Sequence, residues 1–226
     1  MPLIVFDLDG TLVDSRLDLA ESANELLSLY GAPPLPVADI VGMVGEGARV
    51  LVRRVLMAAG AEDASDDALE QFLAIYDRRL VNHTRVYPGL EAALAIAAPA
   101  ATLALLTNKP SHHTGRLLEA LGLTRWFPGG IIGGDTPLGR KPDPAGVRSL
   151  MAAAGADMET TLLVGDSTVD IETAARASVR ICLARYGFGR PSISLVPAAS
   201  RPLVAETPEG VSASLLKFLT TVQPAV

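Results

Sequence analysis

The chain has 226 residues, 49% of them hydrophobic and 19% charged, a globular composition with room for one good core or a core with a small second domain. A formal net charge of −6 and a pI near 5.1 argue against nucleic acid or an anionic membrane as the main partner. One cysteine, Cys182, excludes an internal disulfide and a cysteine zinc site, so a reducing cytoplasm is expected. The N-terminus lacks a basic segment and its apolar run is interrupted by Asp7 and Asp9, unlike a signal peptide. The most apolar stretch, Ala92 to Leu106, is too short to span a bilayer and is broken by Pro99.

Leu3-Ile4-Val5-Phe6 is a continuous apolar run that suits a strand buried on both faces, and it ends in Asp7, Asp9, Gly10 and Thr11. Residues two apart on a strand point the same way, so Asp7 and Asp9 address one point beyond its end. Two such carboxylates stay ionised together only with a cation nearby. Taken alone, D-x-D reads equally well as an aspartate-rich turn closing an ordinary strand. From Arg16 to Asn82 the pattern is helical. Leu17, Ala20, Ala23, Leu27 and Tyr30 form one stripe, Val52, Val55, Leu56 and Ala59 a second, and Leu69, Phe72, Leu73, Tyr76 and Leu80 a third. Four short helices packed as a bundle are expected there, without a strand. After Tyr87-Pro88-Gly89, helices alternate with strands at Thr102–Leu106, Ile131-Ile132, Leu162-Leu163-Val164, Arg180–Ala184 and Leu203–Ala205. Asp143 is expected to cap a helix with Pro144 at its first position, and Thr207-Pro208 to cap the last one. The alternation predicts an α/β fold with a doubly wound, largely parallel sheet, into which the helical block is inserted.

Four groups in order carry the chemistry. Asp7-Leu8-Asp9-Gly10-Thr11 is followed by Thr107-Asn108 after Leu105-Leu106, and then by Lys141 within Gly139-Arg140-Lys141-Pro142. Gly165-Asp166-Ser167-Thr168-Val169-Asp170 comes last, after Leu162-Leu163-Val164. Singly, Thr107-Asn108 and Asp166 read as helix caps and Lys141 as a solvated charge. Together the four resemble the motifs of the haloacid dehalogenase superfamily in the form its phosphatases use, over nearly the whole core. The resemblance implies a Rossmann-like core of residues 1–14 and 85–226 and an inserted helical cap of residues 15–84. It implies a phosphomonoester hydrolase that works through a phosphoaspartate on Asp7, with Asp9 protonating the leaving alcohol and then activating water. Mg²⁺ is the implied cofactor, held by Asp7, Asp166 and the backbone carbonyl of Asp9, with Asp170 a further candidate. Lys141, Thr107 and the turn amides of Gly10 and Asn108 are the implied phosphate binders.

The position of the helical block, the Asp14-Ser15-x-x-Asp18-Leu19 segment and the loop Val44-Gly45-Glu46-Gly47 resemble the superfamily's phosphoglycolate phosphatases. Asp9 counts against the dehalogenases and phosphonate hydrolases, which lack that carboxylate. The alternatives are a phosphosugar mutase resembling β-phosphoglucomutase and a non-catalytic phosphate-binding protein. Gly45, Glu46 and Gly47 are expected at the substrate, and Arg49 and Arg53 are open between a substrate carboxylate and solvent. Gly42, Gly45 and Gly47 follow no strand, which excludes a dinucleotide loop. His83, His112 and His113 are too scattered for a metal cluster, and Arg53-Arg54 reads as a solvated helix face. The resemblance implies a small phosphorylated metabolite as the partner, and a monomer or homodimer is expected.

Overall fold

A computed structural model describes residues 1–61, 66–196 and 202–222. The chain begins with β1 (Leu3–Phe6) and the two-residue β2 (Val13–Asp14), then runs through α1 (Arg16–Leu29), α2 (Val37–Val41), α3 (Ala48–Ala58) and α4 (Asp66–Arg79). It returns through β3 (Arg85–Val86), which pairs antiparallel with β2. Then follow α5 (Leu90–Ala97), β4 (Thr102–Leu106), α6 (Ser111–Ala120), β5 (Ile131–Ile132), α7 (Ala145–Ala154) and β6 (Thr161–Gly165). The chain closes with α8 (Thr168–Ala177), β7 (Arg180–Ala184), β8 (Leu203–Ala205) and α9 (Gly210–Val222). Six parallel strands form one sheet in the order β5-β4-β1-β6-β7-β8. The expected α/β fold with a parallel sheet is what the chain adopts.

Strand periodicity of two divides the core. Ile4, Phe6, Leu103, Leu105, Leu162 and Val164 face a cluster that includes α5, α6 and α9. Leu3, Val5, Ala104, Leu106 and Leu163 face the other cluster, closed by Val147 and Leu150 of α7 and Ile171 and Ala174 of α8. With both faces covered, the strands carry no polar alternation. No helix among the described residues is long and apolar enough to cross a membrane.

Three local expectations are corrected. The β2–β3 ribbon was not expected, because two-residue strands carry no readable periodicity. Leu17 is 42% exposed, while Asp18, Leu19 and Leu26 of the same helix are buried. Asp143 stands one residue before the cap position, where its Oδ1 accepts from the Ala145 amide at 2.9 Å, and Pro144 takes the cap.

Asp18 explains the shifted face of α1. Its fully buried carboxylate accepts the backbone amides of His83 at 3.0 Å and Thr84 at 2.8 Å, and the Thr84 hydroxyl at 2.7 Å. The first turn of α1 is thereby tied to the segment that leads into β3, so both crossings of the helical block are fixed together. Hydrogen bonds to a buried charge are worth more than neutral ones, and removal of the acceptor leaves the donors unpaired. Asp18→Ala is expected to lower the unfolding free energy by about 2–4 kcal/mol, read as a lower urea midpoint at unchanged slope. A loss under about 0.5 kcal/mol would mean that closure of the ribbon does not lean on Asp18.

Candidate active site

The Asp7 amide donates to the Val164 carbonyl at 2.9 Å, so sheet pairing continues one residue past β1 and fixes the acid at the strand end. The chain then turns tightly, with the Thr11, Leu12 and Val13 amides all donating to the Leu8 carbonyl. Gly10 takes φ +83° in this turn, and a Cβ there would stand 2.5 Å from Asp166 Oδ2. Both the conformation and the space demand glycine.

Asp7, Asp166 and Asp170 bring carboxylate oxygens within 4.8 Å of one another, all three side chains being buried. Lys141 Nζ lies 2.7 Å from Asp7 Oδ1 and 2.7 Å from Asp170 Oδ1. Asp166 accepts from the Thr11 hydroxyl at 3.2 Å and from the amides of Phe188 and Gly189 at 2.7 and 3.1 Å. Asp170 Oδ2 accepts from Ser167 Oγ at 2.6 Å and from the Ser167 amide at 3.1 Å, completing a capping box on α8. With one oxygen on Ser167 and the other on Lys141, Asp170 positions the lysine.

The single ammonium does not balance this cluster. Burial pushes the Asp7 carboxyl up to about 8, with Lys141 pulling it down and Asp170 and Asp166 pushing it further up. Burial and Asp170 raise Asp166 to about 6. Burial alone would discharge Lys141, but Asp170 and Asp7 outweigh it and hold the pKa above the ordinary lysine value. An oxygen-only cluster short of positive charge fits a hard divalent cation, and no histidine or cysteine joins it among the described residues.

Asp9 stands apart from this cluster. Its carboxylate accepts from Ser15 Oγ at 2.6 Å and from Lys109 Nζ at 3.0 and 2.9 Å. Lys109 Nζ also donates to the Tyr76 hydroxyl of α4 at 2.7 Å. Burial opposes the Lys109 charge, but Asp9 and Tyr76 outweigh it and raise the lysine pKa. Thr107 is buried just past β4, its hydroxyl accepting the Lys109 amide at 3.2 Å. Asn108 Nδ2 donates to the carbonyls of Gly45 and Lys141, each at 2.9 Å, and so ties the α2–α3 loop to the lysine loop. Gly47 has φ +92°, and a Cβ there would stand 3.2 Å from the Asn108 carbonyl.

Asp7, Asp9, Thr107, Asn108, Lys109 and Asp166 line one cavity of about 60 Å³ from the core side, while Lys141 and Asp170 support Asp7 from outside the lining. The structure thus brings together most of the residues read from the sequence. Gly45 and Gly47 line the cavity, but the exposed Glu46 turns its carboxylate to Arg54 and contributes only a backbone carbonyl, to Arg140 at 3.5 Å. Its place at the substrate is therefore corrected: with φ +129° at Gly45 and +92° at Gly47, the loop directs the side chain between them outward. Arg49 and Arg53 are exposed on α3 and do not line the cavity. Lys109 and Tyr76 were missed. A signal for Lys109 exists in the sequence, since it follows Thr107 by two residues; Tyr76 carries none, lying within an apolar stripe.

The family model for haloacid dehalogenase-like hydrolases matches residues 1–178. The chain belongs to the haloacid dehalogenase-like hydrolase family. A phosphoglycolate phosphatase of Rhodospirillum rubrum is 41% identical over 203 residues, 86% of this chain and 84% of the relative. One from Pseudomonas putida is 40% identical over 223 residues, 96% of this chain and 78% of the relative. The crystal structure of a predicted phosphoglycolate phosphatase from Haemophilus somnus superposes with a TM-score of 0.83 at 32% identity, covering 93% of this chain and 96% of that one.

The raised carboxyls make a prediction about the metal-free hydrolase. Asp7 has an ordinary value of 3.8 and a folded value of about 8, so the folded state binds more protons than the unfolded state between them. Stability must fall as pH rises through that window. Asp7→Asn removes the penalty. In chelator, the variant is expected to melt higher than the parent by on the order of 5 °C near pH 8, the gain shrinking towards pH 4. Thermal melts across that range check it, and a variant that melts lower near pH 8 would contradict the charge imbalance.

Proposed function

We propose that this hydrolase cleaves the phosphomonoester of a small anionic metabolite, phosphoglycolate first, by way of a phosphoaspartate on Asp7. The observation that carries the reading is the division of labour between the two aspartates of the first turn. Asp7 faces phosphate-neutralising charge, with Lys141 at 2.7 Å, while Asp9 faces the same cavity from a separate set of partners. Asp7, Asp166 and the Asp9 carbonyl would hold Mg²⁺, which would supply positive charge against the phosphoryl oxygens. Asp7 attacks phosphorus in line; the new Asp7–phosphorus bond forms as the ester oxygen–phosphorus bond breaks. Asp9 gives its proton to the departing ester oxygen, then takes one from the water that attacks the phosphoaspartate. Lys141 and Thr107 bind phosphoryl oxygens, while Asp170 and Ser167 hold Lys141 in place.

The helical block, residues 15–84, acts as a cap over this cavity. Leu19, Leu51, Phe72 and Leu73 give the cavity an apolar wall that excludes water from the phosphoaspartate. From the helical block, Tyr76 gives the cavity its one polar side chain among the described lining residues, which leaves little to read the hydroxyls of a hexose and suits a small leaving group. The relatives' name, phosphoglycolate phosphatase, supports the same substrate. Cys182, the one cysteine in the sequence, is buried as a free thiol, which fits a reducing cytoplasm.

Release of phosphate from a panel of phosphate esters with Mg²⁺ tests the reading, with phosphoglycolate expected to give the highest kcat/KM. Asp7→Asn should reduce turnover by at least about 10⁴-fold, and a fluoroberyllate complex should place beryllium on Asp7. Free isomerisation of a hexose 1-phosphate without phosphate release would point to a mutase instead. Substantial turnover by pure Asp7→Asn protein would end the phosphoaspartate mechanism.

A further inference from the structure

Lys141 neutralises the phosphoryl end of the site, but the rest of a substrate also needs reading. Beyond the ester oxygen the cavity presents a mostly apolar helical wall. Among the described residues that line it, Lys109 has the one cationic side chain. It is 3% exposed, with Nζ held by Tyr76 Oη at 2.7 Å and by the two Asp9 oxygens at 3.0 and 2.9 Å. Tyr76 is itself fixed, stacked on Phe72 at 5.9 Å and on His113 at 5.7 Å. The neighbouring Asp77 ion-pairs with Arg116 of α6, which docks this part of α4 on the core.

Asp9 must reach the ester oxygen to protonate it, so a group bonded to Asp9 lies one hydrogen-bonded step from that oxygen. In phosphoglycolate the carboxylate is separated from the ester oxygen by a single methylene. We propose that Lys109 is the specificity residue that binds this leaving-group carboxylate, with Tyr76 presenting its ammonium. The assignment rests on the phosphoglycolate reading above and deepens it. Lysine has three donors, all engaged here, so the incoming carboxylate takes over one of the two contacts to Asp9. Asp9 stays in place because Ser15 still donates to Oδ1 at 2.6 Å. A carboxylate against this apolar wall without a paired cation would be strongly disfavoured, whereas an uncharged ester gains nothing from Lys109.

Binding of non-reacting ligands separates this role from catalysis. 3-Phosphonopropionate keeps the carboxylate and replaces the ester oxygen by methylene; its amide removes the charge at the same size. Titrated calorimetrically into the Mg²⁺-loaded protein, the acid is expected to bind at least ten-fold tighter than the amide. Lys109→Gln should reduce that ratio below two-fold, and Lys109→Arg should retain part of it. Lys109→Met, close in shape, carries the same comparison where Lys109→Gln does not fold. The kcat/KM ratio of phosphoglycolate to its amide should fall in parallel. An acid preference that survives in Lys109→Gln or Lys109→Met overturns the assignment. So does an equal loss on acid and amide, which would make Lys109 only a positioning residue for Asp9. A parent protein that favours phosphoglycolate while its variants keep the preference sinks Lys109 alone. A parent that shows no acid preference and favours sugar phosphates sinks the substrate reading with it.

Discussion

Excess negative charge at the carboxyl end of β1 and β6 is the constraint on which the site depends. Asp7, Asp166 and Asp170 are buried together with one ammonium, Lys141, among them. An isolated buried carboxylate is strongly disfavoured, and burial beside their carboxylate neighbours raises the pKa of Asp7 and Asp166. The surroundings answer with fixed donors: the Thr11 hydroxyl, two amides at Phe188 and Gly189, and the capping box of α8. These donors hold the carboxylates in place without neutralising them. The residual imbalance makes the site receptive to a cation and, through it, to a phosphoryl group. The two apolar clusters on either side of the sheet offset the cost to the fold.

Topology then decides what meets at that point. With β1 between β4 and β6 in a parallel sheet, the residues just past all three strands emerge on one edge. Thr107 and Asp166 therefore stand on either side of Asp7, and the loop before α7 contributes Lys141. The excursion through α1 to α4 leaves at β2 and returns at β3, directly after Asp9, so its helices rise over the same edge. Asp18, buried between the two crossings, keeps that excursion from behaving as a loose loop.

Much of this was legible in the sequence, for reasons that differ by element. β1 is an uninterrupted apolar run buried on both faces. β4 and β7 are apolar and buried after a half-buried first residue, Thr102 or Arg180, and β8 is the apolar Leu203–Ala205, so each could be placed from its run. Asp7, Asp9, Lys141 and Asp166 could be read because each follows such a strand or fills the expected loop. The ribbon of β2 and β3 could not, since two residues define no period. In α1 a fully buried Asp18 displaced the apolar stripe from the face that hydropathy alone would choose. Glu46 illustrates a further limit: Gly45 and Gly47 on either side of it line the cavity, but side-chain direction depends on two left-handed glycines whose φ values no pattern of residue types supplies.

The cation for the leaving group shows the same limit from the other side. Arg49 and Arg53 follow the glycine loop in sequence, yet α3 turns them to solvent, because the helix buries Leu51, Val52, Val55 and Leu56 instead. A helix that must bury one face cannot also aim its polar face into the cavity beneath it. The strand end is freer, because beyond β4 the side chains no longer have to pack against a sheet. Thr107 and Lys109, two residues apart, both line the cavity, and Lys109 stands beside Asp9. On the proposed assignment the leaving-group cation sits on the α/β core rather than on the helical block, which has a mechanical consequence. The charge stays fixed relative to Asp9 whatever the helices do, and α4 needs to bring only the Tyr76 hydroxyl. On the proposed assignment, recognition of the carboxylate and the proton transfer it accompanies are held in register by the adjacent ends of β1 and β4.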